Sequence, residues 1–131
     1  MGKESDTLEK GLQAFKLQDY TTAVAELEQA TMEDHEDFKA FLYLGAAYAG
    51  VGRHNAAIGA LKRAAELRPD DARVHYNLGQ AYEAAGVPRE AIYEYAQALR
   101  INPYYTHART AYSSLKTRTS AHNSRGMRLS A

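Results

Sequence analysis

Apolar and polar residues follow a helical period along most of the chain. Between residues 38 and 51 the apolar side chains are three or four positions apart, which is the spacing of one helix face. These side chains are Phe41, Leu44, Ala47, Tyr48 and Val51. Gly52 predicts the end of this helix, because glycine readily takes the left-handed conformation that often follows one. A second periodic stretch runs from Asn55 to about Leu67, so the pattern predicts a helix pair joined by a short turn.

The same pattern recurs every 34 residues without an insertion. Nine small residues keep their places in three copies: Gly11, Gly45 and Gly79; Ala23, Ala57 and Ala91; Ala30, Ala64 and Ala98. Small side chains let two helices approach closely, because larger ones would force the pair apart. We therefore predict three helix pairs, over about residues 4–37, 38–71 and 72–105.

Two stretches in each of the later copies carry a family pattern. They are LGAAY and NAAIGALKRAAELRP in the second copy, and LGQAY and REAIYEYAQALRINP in the third. With these residues the chain resembles the tetratricopeptide repeat (TPR) family, whose unit is a 34-residue helix-turn-helix. The resemblance implies an all-α fold, a right-handed α-solenoid of about seven helices. It also implies that the first helix of each repeat lines a concave groove that binds another protein.

The first copy departs from this pattern at four positions. Lys10 and Ala14 replace a leucine and a tyrosine, Gln18 replaces the turn glycine, and His35 replaces the proline. Terminal repeats of stacked arrays are often atypical, because one of their faces meets solvent. We therefore interpret residues 4–37 as a true but terminal repeat.

The chain after the third copy continues with a helical period as far as Leu115. This predicts a capping helix over about residues 106–118, which would complete a TPR domain over 4–118. Residues 119–131 lack periodicity and large apolar side chains, so we expect a flexible basic tail there.

Charge is distributed unevenly, although the chain is neutral overall. Residues 1–37 carry ten acids and three bases, whereas residues 106–131 carry five bases and no acid. Such polarity can favour head-to-tail contact between copies, so a self-assembling homo-oligomer is the alternative function. The five bases are spread over 20 residues with no aromatic side chain among them past Tyr112, which argues against nucleic-acid binding.

Composition argues against several classes of protein and site. The chain has no cysteine, which excludes disulfides and thiol chemistry. It has no run of about 18 apolar residues, so we expect no membrane span. The polar start, MGKESDTLEK, lacks an apolar signal core, and we expect a cytoplasmic protein.

Candidates for chemistry are weak. The stretch YNLGQAYEAAG contains two glycines but lacks the preceding strand and the following Lys-Ser or Lys-Thr of a phosphate loop. His35 lies among four carboxylates, yet no second histidine or cysteine stands at ligand spacing, which favours an acidic linker over a metal site. No catalytic triad or carboxylate pair follows from the spacing. We therefore predict no enzyme, no metal and no cofactor.

Helical spacing selects the residues that would line the groove, apolar in its early part and polar in its later part. The candidates are Leu8, Leu12, Phe15, Leu42, Tyr43, Arg73, Tyr76, Asn77 and Gln80. The alternative is that the leucines pack against neighbouring helices, but a run of five apolar candidates is typical of a contact site. We predict a protein-interaction scaffold that holds an extended or helical segment of another polypeptide.

One subgroup of the family clamps the C-terminal carboxylate of chaperone tails with lysine, asparagine and arginine. The matching positions hold Leu8, Leu12, Tyr43, Arg73 and Asn77. Only Arg73 has the required character, so we do not expect chaperone-tail binding.

Overall fold

The computed structural model describes the backbone of residues 5–130 and the side chains of residues 5–121. This described backbone is entirely helical apart from turns, which confirms the all-α fold class. The helices are α1 (Asp6–Lys16), α2 (Tyr20–Glu33), α3 (Phe38–Gly50), α4 (His54–Leu67), α5 (Ala72–Ala84), α6 (Pro88–Ile101) and α7 (Thr106–Ser130). The pairs α1–α2, α3–α4 and α5–α6 fall within the three sequence copies.

The chain divides after Asp70 into two compact units. The first unit contains α1 to α4, in which each helix packs against the next and α1 also contacts α3. The second unit contains α5, α6 and α7, and α6 packs against both of the others. The first two copies therefore form one unit, and the third copy forms the other together with the last helix.

Within every helix pair, a glycine of the first helix lies against a large side chain of the second. The contacts are Gly11 with Leu27, Gly45 with Leu61, and Gly79 with Tyr95. A Cβ atom on Gly45 would lie 2.5 Å from Cγ of Leu61, far inside van der Waals distance. The six repeated alanines are at most 2% exposed. Close helix packing is thus the physical reason for the small residues.

Short polar side chains begin four of the helices. Ser5, Asp19, Asp37 and Asp71 accept hydrogen bonds from the backbone N–H groups of Leu8, Thr22, Ala40 and Arg73. These bonds satisfy N–H groups that have no partner within the helix. Part of the acidic run before α3 therefore has a structural role.

The turns inside the three pairs share a left-handed residue. Gly52 and Gly86 both have a φ of 81°, and Gln18 has a φ of 60°. Glycine reaches this region without strain, whereas a residue with a side chain does not. The first repeat thus keeps the turn but not the residue that suits it.

The last helix is longer than predicted. It runs to Ser130 instead of ending near Arg118, so the expected helix end is wrong. No proline or glycine interrupts the sequence between Arg118 and Gly126, and hence no residue there stops the helix. Ala131 lies outside the described residues. Among the helices described, none combines the length and apolar character that crossing a bilayer requires.

Candidate functional site

Two of the predicted contact residues belong to the core of the first unit. Leu8 is 2% exposed and Leu42 is 5% exposed, so neither offers surface to a partner. For these two residues the packing alternative is the one that the structure shows. The helical spacing therefore selected two residues of the buried helix face together with residues of the adjacent exposed face.

The other three apolar candidates, Leu12, Phe15 and Tyr43, are partly exposed and line a common cleft of about 490 Å³. We call it the first-unit cleft. The rest of its lining consists of one further aromatic ring, one amide and two amines: Tyr20, Gln18, Lys16 and Lys39.

Aromatic rings give the first-unit cleft a fixed wall. Phe15 meets Tyr20 and Tyr43 edge to face, with ring centroids 5.5 Å and 5.2 Å apart. A Cβ on Gly50 would lie 2.5 Å from the ring of Tyr20, so the end of α3 holds that ring in place. Tyr20 was not among the predicted contact residues, because it begins a second helix and the prediction considered first helices.

The charged groups that line this cleft are both basic. Lys16 comes from the last turn of α1 and Lys39 from the first turn of α3. The surrounding repeat is strongly acidic, yet Asp19 and Asp37, the acids next in sequence to the lining residues, cap α2 and α3. The lining is therefore aromatic, and its two charged side chains are lysines in a sequence rich in acids.

The second unit carries a more polar cleft of about 620 Å³, which we call the second-unit cleft. It is lined by Tyr76, Gln80, Glu83, Ala84, Tyr95, His107, Thr110, Ala111, Ser114 and Arg118. The Tyr76 ring centroid lies 5.9 Å from that of Tyr95 and 6.3 Å from that of His107, and both of these residues also line the cleft. Gln80 Nε2 donates a hydrogen bond of 3.1 Å to the Tyr76 hydroxyl.

A hydrogen-bonded network joins the three helices of this unit beside the second-unit cleft. The Tyr95 hydroxyl donates to Glu83 Oε1 at 2.8 Å, and Arg118 Nη2 contacts Glu83 Oε2 at 2.7 Å. Burial, followed by the hydrogen bond to Glu83, raises the pKa of Tyr95 far above its usual range. Burial also raises the pKa of Tyr76. The Tyr95 hydroxyl is thus engaged within the network, whereas the Tyr76 hydroxyl accepts from Gln80 in the lining of the cleft.

The remaining two candidates, Arg73 and Asn77, are not part of this lining. The Arg73 guanidinium makes two hydrogen bonds to Asp71, of 3.0 Å and 2.7 Å, at the start of its own helix. Asn77 is partly buried. Of the four predicted polar residues, Tyr76 and Gln80 therefore line the second-unit cleft, Arg73 bonds the residue that caps its own helix, and Asn77 does neither.

His35 and His75 both contact side chains of other helices. Arg63 donates two hydrogen bonds to the backbone oxygen of His35. His75 is largely buried and its Nδ1 lies 2.7 Å from Glu94 Oε2, as expected of a packed histidine. Over the described part of the chain, no group of three histidine, aspartate or glutamate residues stands close enough to hold a metal ion.

Comparison with known families identifies the repeat. Models described as tetratricopeptide repeats match residues 8–65, 51–86 and 72–105. The chain is a tetratricopeptide repeat protein. The three matches together cover all three TPR copies and stop where α7 begins.

Curated relatives of this TPR protein are much longer than it is. Superkiller complex protein 3 of Homo sapiens is 28% identical over 101 residues, which are 77% of this chain and 6% of the relative. PEX5-related protein of Homo sapiens is 30% identical over 97 residues, which are 74% of this chain and 16% of the relative. The chain therefore spans a small fraction of the curated relatives that it matches.

Solved structures share the TPR fold at low sequence identity. The first TPR of Spaghetti (RPAP3) bound to the HSP90 peptide SRMEEVD has a TM-score of 0.83 and 19% identity, covering 87% of this chain and 90% of that one. The Yersinia enterocolitica secretion chaperone SycD, in complex with a peptide of the translocator YopD, has a TM-score of 0.79 and 21% identity, covering 88% and 96%. Both likenesses concern the fold alone.

Proposed function

We propose that this TPR protein is an interaction module that binds a segment of another polypeptide in the first-unit cleft. The observation that carries the proposal is the partly exposed wall of Leu12, Phe15 and Tyr43 in the first-unit cleft. The similar TPR structures with bound HSP90 and YopD peptides support a role of this kind.

The first-unit cleft would supply the apolar part of the contact. Rigid aromatic rings bury a large area with little loss of side-chain freedom, which makes them effective anchors for a partner. Phe15 is held between Tyr20 and Tyr43, so the wall requires little ordering when a ligand arrives. A bulky apolar side chain of the partner is the complement of such a surface.

The second-unit cleft, taken by itself, is a further candidate surface that would supply hydrogen bonds. Tyr76, Gln80 and His107 combine apolar rings with polar tips around one depression. Groups of this kind bind the backbone and polar side chains of an extended segment and fix its orientation.

The partner that we propose is not a chaperone tail. Of the clamp positions, one is filled by the buried Leu8 and two others by Leu12 and Tyr43. The Arg73 guanidinium, which has the required charge, is hydrogen-bonded to Asp71. A terminal carboxylate would therefore find an apolar surface where the clamp needs cations and amides.

Selection from a display library of random 12-residue peptides tests the proposal. Peptides enriched on the whole chain are measured against the double variant Leu12→Lys, Tyr43→Glu, which we expect to abolish binding while helicity and melting temperature stay nearly unchanged. The matched control is Ala25→Lys, Gln29→Glu, which adds the same charges at exposed positions of α2. Unchanged binding by the first variant would refute the first-unit cleft as the site. Unfolding would place those residues in the core, and Leu12→Ser would then replace the double variant.

Self-assembly is the second candidate function. It is favoured by the opposite charges of the chain ends and by Leu17 and Met32, which are 70% and 68% exposed on the terminal repeat. Light scattering at low and high salt would detect a head-to-tail oligomer as a mass that falls as salt rises. A monomer at high protein concentration and low salt would exclude this candidate.

A further inference from the structure

Two side chains of α5 present a hydrogen-bond donor and an acceptor side by side in the second-unit cleft. Gln80 Nε2 donates to the Tyr76 hydroxyl over 3.1 Å, and both residues line the cleft. This bond uses a lone pair of the hydroxyl, which keeps its proton, and the nitrogen of the amide, which keeps its oxygen. The pair therefore offers an O–H donor next to a C=O acceptor.

The donor of this pair is fixed by packing. The Tyr76 ring centroid lies 5.1 Å from that of Tyr105 and 5.9 Å from that of Tyr95. Tyr95 is 1% exposed, so the Tyr76 ring rests against the core of the second unit. The amide of the exposed Gln80 is in turn oriented by its bond to the Tyr76 hydroxyl. A donor that is held in place before binding loses little side-chain freedom when a ligand arrives.

The acid and the arginine that line the cleft are paired with each other. Glu83 Oε2 lies 2.7 Å from Arg118 Nη2, and Glu83 Oε1 accepts from the Tyr95 hydroxyl at 2.8 Å. A carboxylate of a ligand would have to compete with Glu83 for Arg118, and an ammonium would have to compete with Arg118 for Glu83. A charged ligand side chain would thus give up hydration without gaining an ion pair of its own. The cleft therefore favours an uncharged polar group.

Among polar side chains, the carboxamide is the one that matches the donor and acceptor of Tyr76 and Gln80. It carries a C=O acceptor and an NH₂ donor on one planar group. A carboxylate offers acceptors alone, and an ammonium offers donors alone. An apolar side chain would cover the pair and leave both of its groups without a partner, which costs free energy.

We infer that the second-unit cleft recognises the carboxamide of an asparagine or glutamine in an uncharged segment of a partner protein, and that Tyr76 determines this specificity. The carboxamide oxygen accepts from the Tyr76 hydroxyl, and its NH₂ group donates to Gln80 Oε1. The exposed hydroxyls of Thr110 and Ser114, which also line the cleft, bond neighbouring peptide groups of the segment. The inference rests on the proposed function in taking the chain to bind polypeptide segments, and it names the ligand of a second surface.

Peptide selection on a first-unit variant tests this ligand. The random peptide library is selected on the whole chain carrying Leu12→Lys with Tyr43→Glu, which removes the first-unit cleft as a competing site. We expect the enriched peptides to share an asparagine or glutamine and to share no charged residue. In a synthetic copy of one such peptide, exchange of that residue for the matching acid or for leucine should weaken binding about tenfold. Affinity should stay nearly constant as salt rises, because no ion pair forms with the ligand.

A conservative variant separates recognition from stability. Tyr76→Phe keeps the ring and removes the donor, so it should weaken the peptide about three- to tenfold, the contribution of one uncharged hydrogen bond, with little change in melting temperature. Tyr104→Phe is the matched control, because Tyr104 is 85% exposed and is not among the residues that line the cleft, and it should not change the affinity. If Tyr76→Phe lowers the melting temperature, Gln80→Met at an exposed position of the same helix replaces it and should weaken the peptide to a similar extent.

The outcomes distinguish the inference from the proposed function. Shared charges in the enriched peptides, affinity that falls with salt, or binding unchanged by Tyr76→Phe and Gln80→Met would overturn the inference, whatever the first-unit cleft binds. If peptides are enriched only on the chain with an intact first-unit cleft, the proposed function stands and the inference is wrong. If enriched peptides depend on Tyr76 but not on Leu12 and Tyr43, the inference stands and the proposed site is wrong. If no peptide is enriched on either chain, both fail.

Discussion

Gly79 on α5 lies directly against the ring of Tyr95 on α6, and the hydroxyl of that ring donates a 2.8 Å hydrogen bond to Glu83. The second copy holds Leu61 where the third has Tyr95, and Ala49 where the third has Glu83. At this pair of positions, the third repeat therefore has both the buried hydroxyl and its acceptor, and the second repeat has neither. Burial of the hydroxyl alone would cost about 1–3 kcal/mol.

Substitution of Gly79 should destabilise the fold. Gly79→Leu forces the Tyr95 ring away from its hydrogen-bond acceptor, and we expect a loss of about 3 kcal/mol from overpacking and the broken bond. Gly59 is the matched control, because it is an exposed helical glycine with nothing within 4 Å of its Cβ. Gly59→Ala should stabilise by about 0.5–1 kcal/mol through helix propensity. Urea denaturation monitored by circular dichroism measures both, and equal effects would contradict the close packing.

A substitution at the left-handed turns should cost stability through the backbone alone. At Gly86 a φ of 81° combines with open space around the missing Cβ, so Gly86→Ala introduces strain and no clash. We expect a loss of about 1 kcal/mol, because the strain exceeds the entropy gained in the unfolded chain. Chemical denaturation of Gly86→Ala measures this cost, with Ala85→Gly at the neighbouring position as the control. No loss in the alanine variant would mean that the turn adopts another conformation.

The last helix should be essential to the second unit. Leu115 is 4% exposed and packs in a cluster with Ala91 and Tyr95, so Leu115→Ala leaves a cavity there. We expect a loss of about 2–4 kcal/mol. Thr117→Ala, on the exposed side of α7, should change stability by less than about 0.5 kcal/mol. Calorimetry compares the two, and similar melting curves would show that α7 does not stabilise the unit.

Alkaline pH should weaken the first unit through Tyr48. Burial, followed by the hydrogen bond to Glu28, raises the pKa of Tyr48 to about 12. Because the folded state holds this proton more tightly than the unfolded chain does, the contribution is complete below pH 10 and is lost as pH rises towards 12. Tyr48→Phe should therefore show a flatter decline in unfolding free energy between pH 9 and 11.5, as urea titrations at fixed pH would reveal. If the unfolding free energies of the variant and the unchanged protein fall in parallel, other tyrosines cause the loss of stability.

The positions of the helix pairs could be predicted from the repeat period, because Gly11, Gly45 and Gly79 mark where the two helices of each pair pack closely. It does not specify which apolar face is buried. Leu8 and Leu12 are one turn apart and equally apolar, yet only Leu8 is in the core, since burial depends on how the neighbouring helices α2 and α3 cover α1. A one-dimensional pattern carries no information about that coverage.

Side-chain contacts between different helices could not be predicted from the sequence either. Arg118 was predicted to end the capping helix before a basic tail, but it contacts Glu83, which lies 35 residues earlier. Tyr20 of α2 packs edge to face against Phe15 of α1, a contact that the spacing along the first helices does not indicate. Such contacts depend on side-chain reach across separate elements, for which sequence spacing is no guide.

The paired Tyr95 and Glu83 have a consequence for how such an array can grow by recombination. A duplicated second repeat would leave the inserted Tyr48 without its acceptor, because Glu28 belongs to the first repeat and Lys62 stands at that position in the second. A duplicated third repeat would carry its hydroxyl and acceptor along, although the inner copy would lack the contact that Arg118 of α7 makes with Glu83. Duplication of the third repeat should therefore preserve the pairing of its buried Tyr95 hydroxyl, whereas duplication of the second repeat would separate Tyr48 from its acceptor.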